Sequence, residues 1–121
     1  MRFSVELLLD NEKIPKDKNR MIISLLKHNY SSYDKDYYYE LYEKHPNKMK
    51  SYTFALYMGR CQFLREDILI PEKRIILNFS TCDVKDGIMF YNSILKNKGI
   101  KYPINGNSLT INRIRLVKER P

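Results

Sequence analysis

The opening stretch of the chain narrows its possible folds more than any other. Over residues 2–10, Phe3, Val5, Leu7 and Leu9 fall on one side of an extended backbone. Arg2, Ser4, Glu6 and Asp10 fall on the other, and only Leu8 breaks the alternation. A period of two means a β-strand with one buried face. Such a strand needs neighbours in a sheet and an apolar layer over one side, and the rest of the chain has to supply both.

The elements that follow do so in a legible order. Residues 11–15 break the strand, and Asp17 or Asn19 can cap a helix whose apolar positions Met21, Ile22, Leu25 and Leu26 recur at helical spacing. Ser31, Ser32 and Asp34 interrupt it, and a second short helix is predicted over 35–43. His45-Pro46-Asn47 ends that helix, because a residue before proline avoids the helical region. Strands are predicted over 52–58 and 74–80, with a shorter one over 67–70 that turns at Pro71-Glu72. Ser80-Thr81-Cys82-Asp83 reads as a helix start. Val84, Ile88, Tyr91, Ile94 and Leu95 then form one face, expected to lie on the sheet, and Lys98-Gly99 closes the helix. A hairpin comes last, with strands over 102–104 and 109–117 about the turn Asn105-Gly106. The apolar phase slips between Ile111 and Ile114, which predicts a bulge near Asn112-Arg113.

Strand, helix in two pieces, strand, strand, helix, strand is the split βαβ order. The expected fold is α+β and ferredoxin-like (RRM-like, βαββαβ), one antiparallel sheet with the helices 17–29 and 83–98 on one face. At 121 residues the chain fits a single domain spanning 1–121.

Several function classes drop out. An apolar content of 43% argues against disorder. No stretch approaches the length of a membrane span, and the opening segment, with Arg2, Glu6 and Asp10, is no signal peptide, so no membrane partner is expected. Cys61 and Cys82 are lone thiols without metal-ligand spacing, as suits a reduced cytoplasm. There is no nucleophile elbow, phosphate-binding glycine loop, carboxylate dyad or dinucleotide fingerprint, and no metal or cofactor is expected. The aromatic stacking signature of the RRM class is absent as well.

What remains is charge. Twenty-two Lys and Arg against 14 Asp and Glu leave +8, and the excess is uneven. One basic run is Lys44, His45, Lys48 and Lys50; another gathers toward the C-terminus in Lys96, Lys98, Lys101, Arg113, Arg115, Lys118 and Arg120. Basic patches beside aromatics suit a polyanion, because each cation that neutralises a phosphate releases counterions. Imidazole chemistry is confined to His28 and His45. RNA can be cut without metal when its own 2′-hydroxyl attacks the adjacent phosphate, given a proton acceptor, a proton donor and a cation for the phosphorane charge. A histidine with nearby lysines and a tyrosine would suffice. From the residues alone, the chain is a basic ferredoxin-like domain suited to nucleic acid.

Four stretches resemble the N-terminal half of the CRISPR-associated endoribonucleases that cut precursor transcripts within each repeat. They are Met1-Arg2-Phe3-Ser4-Val5-Glu6-Leu7, Lys50-Ser51-Tyr52-Thr53-Phe54, Asn78-Phe79-Ser80-Thr81-Cys82, and Ser108-Leu109-Thr110-Ile111-Asn112-Arg113-Ile114-Arg115. The resemblance implies metal-independent cleavage of CRISPR repeat RNA that leaves a 2′,3′-cyclic phosphate. It puts a catalytic histidine at His45 (with His28 as rival), a helper lysine at Lys50 (or Lys48), and a tyrosine at Tyr30. Lys44, Lys48, Arg113, Arg115 and Lys118 would bind RNA. The family's glycine-rich loop has no counterpart here, and the chain ends about where that family links to a second domain. Two other readings stay open: a non-catalytic RNA-binding or assembly subunit that packs against CRISPR effector proteins, and a protein-interaction domain whose basic surface only keeps it soluble.

Overall fold

The computed structural model describes residues 1–44, 46 and 50–118. Its centre is β1 (Arg2–Leu9), hydrogen-bonded on one side to β6 (Arg74–Thr81) and on the other to β8 (Asn107–Val117). β3 (Tyr52–Tyr57) lies outside β6 and β7 (Lys101–Ile104) outside β8, and every pair is antiparallel. The order β3-β6-β1-β8-β7 is the ferredoxin-like one with a hairpin strand added at the edge. That outermost strand carries Pro103, and the Asn105-Gly106 turn behind it places Gly106 at φ +67°, where a side chain would be strained.

As the alternation requires, Phe3, Val5, Leu7 and Leu9 are all buried. They lie beneath α1 (Lys18–Tyr33), which buries Met21, Ile22, Leu25 and Leu26, and α3 (Val84–Lys96). Both helices cover one sheet face and are tied to each other where Asn92 Nδ2 donates to the Tyr33 hydroxyl at 3.1 Å and Asn97 Nδ2 to Ser32 Oγ at 2.9 Å. No described helix is long and apolar enough to cross a membrane.

α3 begins at the predicted start, with Asp83 as its cap, but only part of the predicted face turns inward: Ile94 is buried and the Tyr91 ring packs 5.8 Å from that of Phe3. Val84, Ile88 and Leu95 are 62%, 48% and 42% exposed. The sheet-facing row is Gly87, Phe90 and Ile94, with Phe90 stacked on Phe79 at 3.7 Å between ring centroids. Large aromatic contact decides the rotation of the helix over a longer but thinner stripe of aliphatics. Gly87 permits it, since a Cβ there would come within 2.5 Å of Met1 Sδ.

α1 also runs past Ser31 and Ser32. Their hydroxyls fold back onto the helix's own carbonyls at His28 (3.0 Å) and Asn29 (2.9 Å), so neither breaks it. Asp34 does, adopting an extended φ of −152° and capping α2 (Lys35–Tyr38) with its carboxylate. α2 continues as one wider π-helical turn, Tyr39–Glu43.

Two short strands have no counterpart in the sequence reading. β2 (Lys13–Pro15) and β4 (Gln62–Phe63) flank β5 (Asp67–Leu69) in a second sheet, held through the buried pair Ile14 and Ile68. Elements of two or three residues are too brief to carry a period. The bulge falls where the phase slip put it: Glu6 pairs with Arg113 and Leu7 with Ile111, leaving Asn112 over.

Candidate active site

β1 and β3 begin, and β6 and β8 end, at the same end of the sheet, with Arg2 opposite both Ser80 and Val117 and Tyr52 opposite Thr81. Lys50 and Ser51, just before β3, and Lys118, just after β8, emerge there. The Lys50 ammonium donates to the Leu41 carbonyl and sits 5.1 Å from the centre of the Tyr42 ring. Lys27, from α1, lies 5.2 Å from the same centroid. Cations favour the negative face of an aromatic ring, so Tyr42 gathers two positive charges from separate elements.

The Tyr42 ring is fixed in turn. Its hydroxyl shares a hydrogen bond of 2.8 Å with that of Tyr52. Burial, and then the neighbouring Tyr52, pushes the Tyr42 hydroxyl far above the ordinary phenol range; burial raises Tyr52 too. Both stay neutral phenols near neutral pH, able to hold neighbours in place and unable to act as bases. Tyr30 backs the cluster, edge-on to Tyr37 at 5.3 Å and tilted against Tyr42 at 6.2 Å. It is only 1% exposed, its hydroxyl has no hydrogen-bond partner among the described residues, and burial drives its pKa up. Such a group supports the wall of the site from inside and is not presented to solvent.

Beside Lys50 runs an open groove of about 560 Å³ between α2 and the start of α3. Asp86 closes it from α3: one carboxylate oxygen accepts the Tyr37 hydroxyl at 2.7 Å and the other accepts Ser51 Oγ. Burial and the bond to Asp86 raise the Tyr37 hydroxyl as well.

The sequence-predicted residues therefore divide. Lys50 and Tyr30 belong to this cluster. Lys44 forms an exposed ion pair with Glu40 at 3.2 Å. His45 and Lys48 lie outside the described residues. His28 is not at the end of α1, as the interrupting serines implied, but more than a turn inside it. Its exposed ring packs 5.0 Å from Tyr102 of β7, whereas Tyr52 of the lysine cluster is on β3, the opposite edge of the sheet. Four strand spacings separate those edges, on the order of 19 Å. Arg113 and Arg115 point from β8 to the helix-free face, Arg113 within 3.6 Å of the Glu6 carboxylate and Arg115 opposite Ser4. Lys118 is exposed beside Arg2 and Thr81.

Sequence reasoning missed Lys27, Tyr42, Ser51 and Asp86. Tyr42 falls in the helix predicted over 35–43, and Asp86 three residues beyond the predicted helix start Ser80-Thr81-Cys82-Asp83. Nothing in the spacing brings them to Lys50, because the contacts join four separate elements.

No protein-family profile and no curated protein matches the sequence. Solved structures do match the fold. A RAMP protein binding different RNA substrates is 20% identical over 100% of this chain and 50% of its own, with a TM-score of 0.80. A Cas6-related protein from Pyrococcus furiosus is 19% identical over 100% of this chain and 49% of its own, also at 0.80. A CRISPR-associated protein Cas6 is 20% identical over 99% of this chain and 49% of its own, at 0.69. The chain thus spans about half the length of these proteins. The expected α+β, ferredoxin-like fold is the observed one, and it is the fold of one half of a Cas6-type protein.

Proposed function

We propose that this chain is the ferredoxin-like domain of a metal-independent endoribonuclease that binds CRISPR repeat RNA and cuts it within the repeat, leaving a 2′,3′-cyclic phosphate. The observation that carries the reading is the meeting of Lys50 and Lys27 on Tyr42, at a sheet end also bearing Arg2 and Lys118, in a fold whose similarity to Cas6-type proteins spans the whole chain. In this reading Lys50 supplies fixed positive charge where the phosphorane gathers negative charge. His45, five residues before Lys50, protonates the leaving 5′-oxygen, since imidazole is the side chain best poised to donate a proton near neutral pH. Lys44, Lys48, Arg113, Arg115 and Lys118 hold the phosphate backbone, and Tyr30 supports the Tyr42 ring from within.

Single-turnover cleavage of repeat RNA by the full-length protein in EDTA is the test. His45→Ala should slow cleavage roughly a hundredfold or more, the scale of lost general acid catalysis, with RNA affinity mostly kept. His28→Ala should do far less, because its ring belongs to the β7 edge. Full activity in His45→Ala discards that assignment, and loss of activity in EDTA discards the metal-free mechanism. Salt-dependent binding with no cleavage would favour a binding or assembly subunit instead.

A further inference from the structure

The first turn of α3 carries a carboxylate that its own helix does not use. Asp83 caps the helix and accepts the Asp86 backbone N–H at 3.2 Å. In a reciprocal capping pair, the side chain three residues after the cap turns back to the cap's own N–H. Here Thr81 Oγ1 accepts the Asp83 N–H at 3.2 Å, and the Asp86 carboxylate reaches outward to Tyr37 and Ser51. Thr81 Oγ1 lies 3.3 Å from the Ser51 carbonyl, to which it donates. Ser51 is thus held by its side chain and its backbone, and the residue before it is Lys50.

We infer that Asp86 is a positioning residue for Lys50, anchoring Ser51 so that the lysine ammonium stays beside Tyr42 at the end of the sheet. The inference rests on the reading of Lys50 as the cation that meets the reacting phosphate. A carboxylate suits this role because its two oxygens take two hydroxyls at once, and bonds to an ionised acceptor are the stronger kind. Lysine needs such help more than most side chains, because its charge rides on a flexible four-carbon stem. With Ser51 unanchored, that stem would spread its charge over many positions, and the gain from holding a catalytic group in place would shrink.

Amine modification of the folded chain with N-hydroxysuccinimide acetate, followed residue by residue by mass spectrometry, tests this without RNA. Asp86→Ala and Ser51→Ala should each speed modification of Lys50 roughly threefold or more, the scale of the net contribution of one hydrogen bond. Lys13 and Lys98 should keep their wild-type rates, and the double variant should be no faster than Asp86→Ala. Ser51 is exposed, so Ser51→Ala leaves the core untouched even if Asp86→Ala loosens the helix start. An unchanged Lys50 rate in Ser51→Ala overturns the inference, and so does an equal rise at all lysines, which marks general loosening. The nuclease reading fails separately: a Lys50→Ala protein that cuts repeat RNA at full rate sinks it and leaves the anchoring of Lys50 intact.

Discussion

Glu6 lies on the helix-free face of β1, 8% exposed, with Asn112 Nδ2 and Arg74 Nε each 2.5 Å from its carboxylate and Arg113 3.6 Å away. The hydrogen bond from Asn112, then that from Arg74, holds its pKa below the ordinary 4.5. A carboxyl that ionises more readily folded than unfolded contributes stability fully present above its unfolded pKa, and that contribution is lost as pH falls through the lower folded value. Glu6→Gln should therefore flatten the fall in melting temperature below about pH 4.5 while leaving its shape near neutral pH unchanged. Identical acid limbs in the two proteins would show that Glu6 carries none of the dependence. This site was half legible in sequence: the slipped phase located Asn112, but no pattern said that the extra residue would donate to a strand 106 positions away. The same limit applies to Lys50. Its neighbours in the chain suggested a charge for phosphate, while its actual partners, Leu41, Tyr42 and through Ser51 Asp86, come from folding.

At the scale of elements, α3 is where periodicity misled. The predicted stripe was right about Ile94 and Tyr91 but also took in Val84, Ile88 and Leu95, and the helix instead rotates to set Phe90 flat on Phe79 and within 5.5 Å of Phe3. Phe90→Ala should cost about 3–5 kcal/mol in urea unfolding, the range for emptying a buried aromatic site. Ile88→Ser, on the outward face, should stay within about 0.5 kcal/mol. The reverse ranking would restore the face that the sequence suggested. The α1 boundary was misplaced for a different physical reason, since serine ends a helix when its hydroxyl draws the backbone into a cap or turn, and at Ser31 and Ser32 it donates instead to carbonyls within the helix.

For the molecule as a whole, the antiparallel sheet and the common side of its two long helices were legible, because both follow from alternation in β1 and from the order of elements. The distribution of charge was not. The C-terminal basic run splits on folding: Lys101 pairs with Asp10 at 2.9 Å and Lys96 donates to the Ser32 carbonyl, while Arg113, Arg115 and Lys118 follow β8 to the far end and the open face. A run of like charges in sequence is one patch only if the strand beneath it does not carry its members apart.

Pro103 gives the edge strand β7 a consequence for how the protein behaves in company. A sheet's outer strand is a template on which a stranger's backbone can continue the ladder, and proline offers it no N–H to bind. With Lys101 beside it, that flank turns away strand addition by another copy. Pro103→Val should lift the block without disturbing the core, and light scattering should then register association that grows with protein concentration. A variant whose scattering matches that of the parent at every concentration would mean that charge alone guards the margin, and that the proline serves only the hairpin behind it.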